Sequence, residues 1–163
     1  MKKFIGGLLM IGLLSLVAAG LTWWIIGPPD RSIPCEQIEL VKGDVCLKTV
    51  LTWEADSYLW VDARPRKLWK KNGVNGSVLF TDDKNEDEFE LIEAFMNAVF
   101  RDGHIFPKVI VYCNESGCES SKSIAVRLRD EYGMNLGFEV YVLHGGWKAL
   151  AAEGLVRKSP LTR

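Results

Sequence analysis

The sequence predicts an α/β fold, a parallel β-sheet flanked by helices on both faces and preceded by one N-terminal transmembrane helix. Three observations point there. Short β-branched or aromatic runs, Leu59–Asp62, Ser77–Phe80, Val109–Tyr112 and Phe138–Leu143, have the length and composition of buried strands. Between them, apolar residues recur at helical spacing: Leu91, Ile92, Phe95, Met96, Val99 and Phe100 in Glu90–Arg101, and Ile124, Ala125, Leu128 and Tyr132 in Ser121–Tyr132. Strands that alternate with helices pair in parallel, since the helix carries the chain back to the starting edge. The third observation is the uncharged run Phe4–Ile26 behind Met1-Lys2-Lys3. As a helix it would span about 35 Å, enough for a hydrocarbon core.

In chain order, residues 1–3 read as a cytoplasmic N-terminus and 4–26 as a membrane-spanning signal anchor. Lys2 and Lys3 stay inside by the positive-inside rule, Trp23 and Trp24 suit the far interface, and Pro28 and Pro29 stop the helix. A cleaved signal peptide is the alternative, because Val17-Ala18-Ala19 resembles a cleavage site. The apolar run continues through Leu21 and Ile26, which favours the anchor and places the domain on the extracytoplasmic side. Residues 27–44 read as a linker or arm, 45–155 as the domain and 156–163 as a tail. Inside the domain, Thr49–Ala55 and Pro65–Lys71 are short helices, and Asn72-Gly73 and Asn75-Gly76 are turns. Thr81–Glu88 is an acidic loop, Gly133 closes the helix from Ser121, and Gly145-Gly146 is a turn into a last helix at Trp147–Ala152.

A length of 163 residues and a net charge of −1 bound the function. About 130 residues beyond the apolar segment suffice for one compact domain. No basic patch points to nucleic acid. Cys35 and Cys46 flank a short loop and read as a disulfide in an oxidising compartment, or else as two unrelated thiols. Cys-x-x-Cys spacing is absent, and His104 and His144 lie far apart, so no metal site and no cofactor is expected.

Cys113 is the candidate for chemistry. It ends the run Val109–Tyr112 and opens the polar loop Asn114-Glu115-Ser116-Gly117-Cys118-Glu119-Ser120 before a helix. Ligands of parallel sheets gather at the carboxyl ends of strands. There, loop N–H groups and the helix dipole favour a thiolate or a bound anion. The plainer alternative is a small apolar cysteine closing a strand. Arg64 after Asp62, and Gly145-Gly146, fall at similar strand ends. Asn75-Gly76-Ser77 and Asn114-Glu115-Ser116 spell glycosylation sequons, but both fall inside motifs of the fold and read as coincidence.

Four segments occur in a suggestive order: Val61-Asp62-Ala63-Arg64-Pro65, Trp69–Ser77, Val111-Tyr112-Cys113 and Tyr141–Leu150 with its Gly145-Gly146-Trp147. Together they resemble the rhodanese-like family over about Val45–Leu155. The family's D-x-R-P strand end, its F-x-x-G-H-I-P-G-A turn, its active-site strand and its closing L-x-G-G-W each find a counterpart. The resemblance implies that Cys113 is a catalytic nucleophile carrying a persulfide. It makes Asn114 to Ser120 the active-site loop and Asp62, Arg64, Gly145 and Gly146 its supports. Departures are informative. The turn's histidine is missing, because Gly73-Val74-Asn75-Gly76 stands in that place and Gly103-His104-Ile105 comes too late in the chain. Cys118 occupies the position where the six-residue loop often ends in arginine, and the helix pattern from Ser121 suggests a loop longer by one or two residues. With no arginine between Cys113 and Arg127, the bidentate phosphate grip of related phosphatases is lacking. Glu115 and Glu119 oppose an anionic donor such as thiosulfate.

Three functions fit the sequence. One is a membrane-anchored sulfurtransferase that passes sulfane sulfur through Cys113, taking a small sulfur-containing donor and a thiol acceptor. Another is a thiol redox protein in which Cys113 attacks and Cys118 resolves. The last is a catalytically silent module whose cleft holds a protein partner or an anion.

Overall fold

The computed structural model describes residues 35, 39–100, 106–114 and 118–158. The expected anchor at 4–26 lies outside these residues, and among the described residues no helix is long and apolar enough to cross a membrane. From Cys35 onward the chain forms a single unit. Its sheet has five strands: β1 (Asp44–Val45), β2 (Tyr58–Asp62), β3 (Val78–Leu79), β4 (Lys108–Tyr112) and β5 (Glu139–Leu143). Their order is β1-β5-β4-β2-β3, and every pairing is parallel. The helices are α1 (Leu47–Val50), α2 (Arg66–Asn72), α3 (Glu88–Val99), α4 (Glu119–Arg127), α5 (Met134–Leu136) and α6 (Gly146–Ala152).

Side chains alternate across the strands and divide the core in two. Leu59, Val61, Val109, Val111 and Val140 face α3 and α4, meeting Leu91, Phe95, Val99, Ile124 and Ala125. Trp60, Ile110, Tyr112 and Leu143 face the other way, onto Leu47 and Val50 of α1 and Leu150 of α6. Central β4 is covered on both faces, so Val109, Ile110, Val111 and Tyr112 are all fully buried. A strand in that position reads as an unbroken apolar run, as this one does. Phe95 is also fully buried, with the rings of Phe80 and Phe138 at 5.6 and 6.0 Å.

Element ends depart from the sequence reading for local reasons. Strand β1 starts within the stretch read as an arm. Two residues of pairing, Asp44↔Val142 and Val45↔Leu143, are too few for any periodicity to reveal. The helix expected at Thr49–Ala55 is instead α1 at Leu47–Val50, followed by a separate 3-10 turn at Ala55–Ser57. Helix α3 begins at Glu88, before its apolar pattern does. The Asp87 carboxylate accepts hydrogen bonds from the Phe89 and Glu90 amides at 2.9 and 3.3 Å, so a polar first turn is capped.

The stop expected at Gly133 is also corrected. Helix α4 runs on through a π-helical segment, Leu128–Gly133, into α5 and ends at Gly137, whose φ is +77°. Gly133 keeps a right-handed φ of −59°. A Cβ there would sit 3.1 Å from the Phe138 carbonyl oxygen, so this glycine makes room for the returning chain.

Candidate active site

Cys113 directly follows β4, is 6% exposed, and packs on the α3–α4 side with Val109 and Val111. Cys118 stands at the N-cap of α4 and touches the same cluster. The two are joined as a disulfide, with Cα atoms 6.2 Å apart. Of the loop residues between them, Asn114 follows Cys113 at the strand end, while Glu115, Ser116 and Gly117 lie outside the described residues. Glu119 and Ser120 form the first turn of α4, so the helix starts immediately after Cys118 and the expected lengthening of the loop is corrected. Periodicity hid this turn because its first inward residue is polar: Ser121 is buried and donates back to the Cys118 carbonyl at 3.0 Å.

The loop entry is fixed by the last helix. The Trp147 amide donates to the Cys113 carbonyl at 2.6 Å, and the Lys148 amide to the Asn114 carbonyl at 3.3 Å. These are first-turn amides of α6, which have no partner within their own helix. Gly145 and Gly146, at φ +82° and +53°, form the turn that aims them. Few other residues adopt two left-handed positions in succession. A Cβ on Gly145 would also lie 3.0 Å from the Ala149 Cβ.

Behind the loop, Asp62 and Arg64 form a buried ion pair, 0% and 1% exposed. Arg64 Nε donates to Asp62 Oδ1 at 2.9 Å and Nη2 to Oδ2 at 2.7 Å. Its Nη1 donates to Asn72 Oδ1 at 3.2 Å. The guanidinium lies between the rings of Tyr112 and Trp147, at 5.6 and 5.3 Å. With its donors committed and its surface covered, Arg64 supports the strand ends and does not reach for a ligand. The Tyr112 hydroxyl donates to Asp62 Oδ2 at 2.7 Å and accepts from the Val74 amide at 3.0 Å. Burial first, and the Asp62 charge second, push the Tyr112 phenol well above its ordinary pKa. Trp147 Nε1 closes the cluster by donating to the Asn72 carbonyl at 2.8 Å.

Cys35 and Cys46 are also disulfide-bonded, with Cα atoms 5.7 Å apart. Cys46 directly follows β1, so both disulfides sit at the carboxyl edge of the sheet. His104 lies outside the described residues. Arg127 pairs with Glu88 and Glu131 and takes no place in the loop. Among the described residues no cluster of His, Cys, Asp and Glu could hold a metal ion.

Sequence reasoning did not find the roles of Tyr112, Asn72 and Arg157. A tyrosine inside an apolar strand is a usable signal, since its hydroxyl needs a partner when buried. Arg157 stands in the tail yet belongs to the fold. Its amide donates to the Gly73 carbonyl at 2.9 Å, and its guanidinium bonds the Trp69 carbonyl and covers the Trp69 ring at 5.5 Å. Gly73 is needed for that approach, because a Cβ would meet Arg157 Nη2 and the Trp69 oxygen at 2.8 Å each.

A five-stranded parallel sheet with a cysteine loop at the end of its central strand defines the class of protein. The rhodanese-like domain family matches residues 50–153, more than half of the chain, and the chain belongs to it. No curated protein matches the chain. Among solved structures it is similar to the thiosulfate sulfurtransferase from Pseudomonas aeruginosa, at 17% identity and a TM-score of 0.50 over 71% of this chain and 19% of that one. It is similar to the As-Sb reductase from Leishmania major at 17% identity and a TM-score of 0.50, over 69% of this chain and 83% of that one. At such identity the likeness is one of fold.

Proposed function

We propose that this domain takes up sulfane sulfur on Cys113 as a persulfide, acting as a sulfurtransferase in which Cys118 is the resolving thiol. The observation that carries the reading is the position of Cys113 at the end of β4, bonded to Cys118 at the start of α4. The Cys113 thiolate attacks the outer sulfur of a small donor. A persulfide forms, and the rest of the donor leaves with the electron pair of the broken bond. A thiol acceptor can then take the outer sulfur. Failing one, Cys118 attacks the Cys113 sulfur and expels hydrosulfide, so two thiols are oxidised while one sulfur is reduced. An external dithiol must then reopen the disulfide. Family membership supports the persulfide, and the nearby second cysteine favours a redox reading of the same site. In this proposal, residues 4–26 hold the domain at the extracytoplasmic face of a membrane, where the Cys35–Cys46 disulfide also persists.

Intact-mass measurement of the reduced protein after exposure to thiosulfate or polysulfide tests the reading. Cys118→Ser should gain the mass of one sulfur and Cys113→Ser none. The unaltered protein should release hydrosulfide and lose two hydrogens. Sulfur on the Cys113→Ser protein would reassign the nucleophile. No sulfur on any of the three would leave a binding module.

A further inference from the structure

Strand β1 pairs with β5 only at Val142 and Leu143. Among the described residues, no strand covers the outer edge of the amino half of β5. A pocket of about 600 Å³ opens on that edge. One wall is Lys42 and Gly43, just before β1, and another is the start of β5. The third is the π-helical segment, through Arg129 and Gly133. Such segments are rare and occur often at functional sites. The helix that ends in this wall starts after Cys118, so Arg129 lies about 16 Å along it from Cys118.

Arg129 reaches from the helix to the sheet edge. Its Nη2 donates to the Val140 carbonyl at 2.9 Å. Gly43, at φ +98°, allows that approach, because a Cβ there would sit 3.1 Å from Nη2. The bond anchors one end of a fork of N–H donors. Arg64, Arg66 and Arg127 each hold a carboxylate, whereas among the described residues none pairs with Arg129. Its remaining nitrogens are not sealed in protein: the buried side-chain nitrogen without a partner is Nε of Arg157. Lys42 is exposed and adds a second positive charge on the β1 side.

The rest of the lining narrows the chemistry. Glu139 stands at the mouth, with Oε2 accepting from the Tyr141 hydroxyl at 2.8 Å. Its charge opposes phosphate or sulfate, which carry more than one negative charge, more than it opposes a single carboxylate. The volume exceeds that of a bare ion, and Phe138, Val140 and Met134 supply apolar surface. Pockets of this size, apolar with a few placed polar groups, take small organic molecules. We propose that this pocket binds a small organic monocarboxylate, its carboxylate on Arg129 and Lys42 and its apolar body against Phe138, Val140 and Met134. The planar guanidinium matches a carboxylate in shape and charge. The sulfur chemistry of Cys113 plays no part in it.

The test is a titration of the full-length, isotope-labelled protein with benzoate, both disulfides intact, followed by amide NMR shifts. Saturable shifts are expected at Gly43, Gly133 and Val140, with Asn114 and Trp147 unmoved. Benzamide keeps the ring and lacks the charge, and should bind at least about tenfold more weakly. Inorganic phosphate should also bind more weakly than benzoate. Arg129→Gln should weaken benzoate at least about tenfold, the loss of a charge-assisted hydrogen bond. The exposed substitution Lys42→Gln should weaken it about threefold. Absence of saturable shifts at these amides in the unaltered protein overturns the proposal, and that result needs no variant to fold. Equal affinity for benzamide overturns it as well, as does tighter binding of phosphate. Shifts centred on Asn114 and Trp147 would move the ligand to the Cys113 loop and remove the pocket. Unchanged benzoate affinity in Arg129→Gln would remove the arginine that the pocket is built around.

Discussion

Tyr112 and Cys113 are consecutive residues that serve opposite faces of the sheet. On the Tyr112 face, the hydroxyl, the Asp62 carboxylate, the Arg64 guanidinium and the Asn72 amide oxygen satisfy one another inside a covered cluster. On the Cys113 face, the main feature is a covalent bond to Cys118 that a reductant opens. One side is fixed by many partners and the other can change state. The closed cluster sets where the β4 terminus lies whatever is bonded to Cys113.

The sharpest way to break this contrast is Asp62→Ala, which leaves the Arg64 guanidinium buried without its counter-charge. Removing one partner of a buried ion pair destabilises by about 3–5 kcal/mol, and guanidinium denaturation should show a loss of that size. A loss below about 1 kcal/mol would mean that the cluster does not anchor the strand ends. Tyr112→Phe is milder. It strips the Val74 amide and Asp62 of one partner each and should lower stability by about 1–3 kcal/mol. Its Cys113 should still load sulfur, and loss of loading in a folded variant would show that the two faces are not separable.

The smallest expected effect is one of pH. The folded state holds the Tyr112 proton more tightly than the unfolded chain, through burial first and the Asp62 charge second. A raised folded pKa gives a contribution fully present below the unfolded tyrosine value of about 10 and lost as pH rises from there through the folded value. The unfolding midpoint should therefore fall between about pH 9 and pH 11 more steeply in the unaltered protein than in Tyr112→Phe. Parallel slopes would count against a protected phenol.

The strands that run through the middle of the sheet were legible because burial on both faces demands a continuous apolar run, as in Val109–Tyr112. The edges were not. Strand β1 has two residues, and α3 opens with a polar capped turn, so neither announces itself by periodicity. In the candidate site, Cys113 was legible by its place after a buried strand, and Asp62 and Arg64 by their place after another. Arg157 was not, because its partners Trp69 and Gly73 lie more than eighty residues earlier and only the folded chain brings them together.

The sequence by itself determined the alternation of strand and helix, the family and the cysteine at the end of the central strand, since all three reside in local patterns of side-chain type. Tertiary structure alone decided what those residues face. Parallel pairing set the ends of β1 and β4, and with them Cys46 and Cys113, along one edge. The covered side of the sheet closed Arg64 onto Asp62 and Asn72. The helix start at Glu119 set Cys118 beside Cys113. The physical reason is the same in each case: spacing along the chain specifies a local shape, whereas register and packing bring together groups that the sequence keeps apart.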